Sequence, residues 1–73
     1  MQPISQRDVS ILASAYELRQ RDIEDDALLV RGWGGSESEL RRSLEQRHRW
    51  SVASEYSPFY VAALRKALGL TAL

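Results

Sequence analysis

Apolar positions recur along this chain at the spacing of a helix rather than the alternation of a strand. Val9, Leu12, Ala13 and Tyr16 form the first row, and Ile11, Ala15 and Leu18 widen its apolar face. Ser5 stands three residues before Asp8, a capping box with Asp in place of Glu. The pattern predicts a helix from about Gln6 to about Arg21, with Arg19 and Arg21 at the negative end of its dipole.

Next comes an acidic run, Asp22-Ile23-Glu24-Asp25-Asp26, followed by Ala27-Leu28-Leu29-Val30 and Arg31-Gly32-Trp33-Gly34-Gly35. An apolar run of four suits either a short helix or a short buried strand. We read a helix capped by Asp22, because an acidic first turn starts a helix and Gly32 stops one. The alternative is a strand or hairpin around residues 27–33. The glycines make a turn around Trp33.

A third helix opens on Ser36, three residues before Glu39, a full capping box. Leu40 and Leu44 form its apolar side, which Trp50 and Val52 extend if the helix bends. Its other face carries Arg41, Arg42, Glu45, Arg47 and Arg49. Ser51 to Tyr56 reads as a connector. Ser57-Pro58 then predicts a fourth helix with a serine cap and proline at its first position. Phe59, Ala62, Ala63 and Ala67, with Tyr60, Leu64 and Leu68 as alternates, supply its apolar face, and Gly69 suits a left-handed C-terminal cap. Residues 70–73 are expected to fray. The expected fold is mainly α, a single small domain of three to four helices spanning residues 1–73, with α+β as the alternative if residues 27–33 pair as a strand or hairpin.

Composition narrows the chemistry. Seventy-three residues support one domain with a modest core. Without cysteine there is neither a disulfide nor a thiolate metal site, and a lone histidine, His48, cannot build a structural zinc site. The acidic run lacks the alternating Asp/Asn loop with glycine of a calcium site, and Gly32-Trp33-Gly34-Gly35 lacks the lysine of a phosphate-binding loop. No catalytic, metal or cofactor set emerges, so a non-enzyme without cofactor is expected. The N-terminus shows no basic-then-apolar leader, and no apolar run approaches the roughly 20 residues of a membrane span. A cytoplasmic location without membrane contact follows as an expectation.

Net charge is zero but unevenly placed: residues 1–40 hold four Arg against eight carboxylates, and residues 41–73 hold six basic residues against two. Such a split orients encounters with charged partners. Nine of the ten basic residues are Arg, which favours bidentate and interfacial contacts. Arg41, Arg42, Arg47, His48 and Arg49, with Trp50 adjoining, would suit phosphates and a stacked base. The helix around Ala27, the glycine turn and the helix from Ser36 also outline a helix-turn-helix. Glu37 and Glu39 stand where bases would be read, and carboxylates there repel phosphate. Solvated helix faces account for the same arginines.

Trp33, Trp50, Tyr56, Phe59 and Tyr60 are many large aromatics for so small a core, and Trp and Arg dominate binding hot spots. Phe59 is by default a core residue, while Trp33 either docks a partner or folds back as a plug. The residues selected as partner-binding candidates are Trp33, Arg41, Arg42, Arg47, Arg49 and Trp50.

In its short length, cysteine-free composition and Arg-rich, Ala-rich character, the chain resembles the small transcription regulators of lytic Xanthomonas phages that bind the host RNA polymerase. The resemblance implies inhibition of transcription initiation and antitermination through polymerase contacts in the bacterial cytoplasm. It carries no binding residue across. The expectation is a module that is a monomer when free and binds a bacterial RNA polymerase. A small DNA-binding regulator comes second. Third is a toxin or immunity-type module in which Asp22 to Asp26 meets a basic surface.

Overall fold

The structure, a computed structural model, describes residues 3–51 and 54–70. Among them the chain forms four helices and no strand: α1 (Gln6–Tyr16), α2 (Gln20–Gly32), α3 (Glu37–His48) and α4 (Tyr56–Ala67). The mainly α expectation holds, and the strand or hairpin around residues 27–33 is excluded, because Ala27 to Val30 continue α2. No described helix is long and apolar enough to cross a membrane.

α1 starts where expected: the Ser5 hydroxyl accepts the Asp8 backbone N–H at 3.2 Å and donates to the Asp8 carboxylate at 2.9 Å. It ends five residues earlier than the pattern predicts, at Tyr16. Glu17 takes a left-handed conformation (φ 55°), and the Leu18 N–H closes back on the Ala13 carbonyl at 2.9 Å. The reason is tertiary. α2 must fold back on α1 to bring Ile23, Ala27 and Val30 into the core, and a straight continuation would carry them away from it.

α2 correspondingly begins at Gln20 with Arg19 as its cap, so Asp22 is a first-turn residue and not the cap. Its carboxylate takes the Arg19 Nε–H at 3.2 Å instead. Beyond Gly32 the Trp33 indole N–H donates to the Ser36 carbonyl at 2.9 Å, folding the side chain over its own turn. Gly35 permits this: a Cβ there would stand 3.2 Å from the indole nitrogen.

α3 opens with the complete Ser36–Glu39 capping box. It closes with Arg49 left-handed (φ 57°) and the Trp50 N–H on the Glu45 carbonyl at 2.9 Å.

In α4 the expected cap is corrected. Glu55 is the cap residue, and Ser57 lies inside the first turn, buried, donating to Glu45 at 2.6 Å. Pro58 is therefore the third helical residue, still among the positions that need no backbone donor. The Gly69 cap forms as expected, at φ 74°, with Gly69 N–H on Lys66 O and Leu70 N–H on Arg65 O. Leu70 is half-buried against the core; residues 71–73 and Val52 lie outside the described residues.

α4 is the centre of the bundle and packs on all three other helices. Its buried row is Tyr60, Val61, Leu64 and Leu68, facing Val9 and Leu12 of α1, Ile23, Ala27 and Val30 of α2, and Leu40 and Leu44 of α3. α1 and α3 both run antiparallel to α4. Tyr16 meets Tyr56 and Tyr60 at one end of α1, while Asp8 shares a cleft with Lys66 at the other. Glu45 reaches Ser57 at one end of α3, and Glu37 reaches Arg65 at 2.6 Å at the other.

Candidate functional site

Two features stand out, one inside the bundle and one on its surface. The inner one is Asp26, fully buried on α2 beside Ile23 and Ala27. An isolated buried carboxylate is strongly disfavoured, so it must be paired. Its Oδ2 accepts the Tyr60 phenol of α4 at 2.5 Å and His48 Nε2 of α3 at 2.6 Å. A carboxylate only accepts, so His48 carries its proton on Nε2. Arg47 Nε lies 3.2 Å from Oδ1 as an ion pair, without the alignment of a hydrogen bond. Burial first, and the adjacent Asp26 second, push the Tyr60 phenol far above its ordinary range.

The His48 side chain is only 6% exposed. The last turn of α3 points inward because Leu40, Leu44 and His48 share one row. Around it the rings of Tyr16, Trp50, Tyr56 and Tyr60 pack mainly edge-to-face, with Trp50–Tyr60 centroids 5.2 Å apart. With Asp26 and Tyr60 at zero exposure, the cluster is closed to substrate and acts as a polar clamp joining α2, α3 and α4. Among the described residues no group of acidic or histidine side chains is placed to hold a metal ion.

The six sequence-selected candidates do not form one face. Trp33 is half-buried at the start of α3, and Arg49 and Trp50 lie beyond its far end, about 18 Å away at the rise of a helix. Arg41 sits 3.8 Å from Glu37, and Arg47 is engaged by Asp26 and, at 3.9 Å, by Asp25. Arg42, Arg49 and Trp50 do come together, lining one shallow cleft with Glu45 and Gln46. The acidic run is dispersed as well: Asp26 is inside, Asp22 holds Arg19 and Asp25 faces Arg47.

The surface feature was missed. Phe59, by default a core residue, is 63% exposed, because the core row of α4 is the set of alternates Tyr60, Leu64 and Leu68 together with Val61. Ile11 and Tyr56 are also exposed. The antiparallel packing of α1 on α4 sets Ile11 and Leu12 beside Ala63 and Ala67 in one cleft. Phe59 lies one turn along α4 from Ala63, and Tyr56 caps that end against Tyr16. Phe59 falls outside the row of buried positions, 57, 60, 61, 64 and 68, and which row of α4 faces inward is set by the packing of the other helices rather than by local spacing.

Comparison with known proteins gives no match: no family model, curated protein or solved structure is significantly similar to this chain.

Proposed function

We propose that this chain is a protein-docking domain that acts by occupancy, through the apolar face shared by α1 and α4. The observation that carries it is Phe59, held 63% exposed one helical turn from Ala63 of the cleft that Ile11 lines, on a domain with a separate core. Covering a phenylalanine side chain is worth about 1.5–3 kcal/mol, enough to anchor a partner. The partner is a bacterial RNA polymerase, on the strength of the resemblance alone. Occupancy would then stabilise one polymerase conformation or block a promoter-recognition contact, lowering initiation and raising readthrough of terminators.

The test uses purified Xanthomonas RNA polymerase. The wild-type chain is expected to be retained on it and to lower run-off transcription, and Phe59→Asp to lose both. Absence of retention at low salt removes polymerase as the partner. A second reading, DNA binding, is favoured by Arg42 and Arg49 beside Trp50, neither arginine being ion-paired among the described residues. It weakens because Arg41 and Arg47 are already engaged by carboxylates. It requires a salt-sensitive duplex shift that Arg42→Glu abolishes.

A further inference from the structure

The α4 cap residue Glu55 and, along α4, Phe59, Ala62 and Lys66 are all exposed and follow one another at intervals of four, three and four residues. At 100° per residue they form one stripe about 60° wide. The stripe reads acidic, large apolar, small apolar, basic. Its outer and inner pairs share a midpoint, between Tyr60 and Val61. A single two-fold axis at that point therefore matches every member of the stripe at once. Glu55 meets Lys66 of another chain at both ends, and Phe59 meets the small Ala62 at both inner positions.

We propose that a second copy of this chain covers this face, α4 against α4 in antiparallel register. The inference rests on the docking reading above and names what occupies that face in the free protein. The arrangement is isologous, so each contact is made twice and the interface closes on a dimer. Neither Glu55 nor Lys66 enters an ion pair within the chain among the described residues, although Lys66 shares a cleft with Asp8 and Glu55 one with Arg41 and Arg42. Ile11 and Tyr56, exposed on the α1 side of the stripe, extend the apolar contact beyond α4. A net charge of zero removes general repulsion between copies. The monomer expected from sequence gives way to a weak dimer, and another protein partner must compete with the second copy for this face.

Sedimentation equilibrium from about 10 µM to about 1 mM, the range of a small transient interface, tests this. The wild-type mass is expected to rise toward twice the monomer. Glu55→Lys and Lys66→Glu each place like charges together at both ends and are expected to stay monomeric. An equimolar mixture of those two variants restores both opposite pairs and is expected to dimerise again. All three positions changed in these tests, Phe59 included, are exposed, and helical circular dichroism checks that each variant folds. A wild type that stays monomeric to about 1 mM, or a mixture that fails to associate, overturns self-pairing. If self-pairing fails while Phe59→Asp still releases polymerase, the docking reading stands alone. If the dimer forms and polymerase is not retained, the polymerase reading falls and the dimer stands.

Discussion

The Asp26 carboxyl is fully buried, and its hydrogen-bond partners come from two other helices. Tyr60→Phe removes one donor and leaves the carboxylate under-satisfied, with a loss of about 1–3 kcal/mol expected in urea unfolding. The same phenol sets an alkaline limit. Unfolded, it ionises near pH 10; folded, burial and Asp26 hold it protonated well above that. Its contribution to stability is therefore complete below about pH 10 and declines as pH rises beyond it. Stability measured from pH 8 to 11 is expected to fall less steeply in Tyr60→Phe than in wild type. At the acid end the sign reverses for Asp22, whose carboxyl the Arg19 hydrogen bond holds below its ordinary value. That small contribution is present above the usual carboxylate range and lost as pH falls through the lowered value.

At the scale of the element, the ends of the helices are as informative as their faces. The α3 cap places Arg49 in the left-handed region, a conformation that costs a residue with a Cβ about 1–2 kcal/mol. Arg49→Gly keeps the backbone bond from Trp50 to Glu45 and removes that cost, partly offset by the freer unfolded chain. A stabilisation of up to about 1 kcal/mol is expected in thermal melts. Caps built from neighbouring residues, such as Ser36–Glu39 and Gly69, were legible in the sequence because every atom they use lies within a few positions. The end of α1 was not legible, since it is set by where α2 must lie and not by the residues at Tyr16 and Glu17.

At the scale of the whole molecule, α4 has two faces with different duties. Leu64 is fully buried among the other helices, and Leu64→Ala is expected to cost about 2–5 kcal/mol. Phe59, on the opposite side, is expected to change stability by under about 0.5 kcal/mol when replaced by serine. Chemical denaturation of the two variants side by side separates the core row from the docking stripe. A large loss for Phe59→Ser would place that ring in the core and remove the docking face.

The sequence by itself determined the mainly helical class, three of the helix caps (Ser5, Ser36–Glu39 and Gly69) and the absence of any cysteine chemistry, while leaving residues 27–33 open between helix and strand. These follow from spacing and from neighbours in the chain. It also held the Leu40–Leu44–His48 row and the buried row of α4, in a form that periodicity alone could not orient. Only the tertiary structure decided that Asp26 is inside, because its partners are 22 and 34 residues away. It alone decided that Arg47 and Trp50 are engaged in packing and pairing, and that Phe59 is left outside. Which of two helical rows faces inward depends on the combined burial of all four helices, and no local window contains that sum.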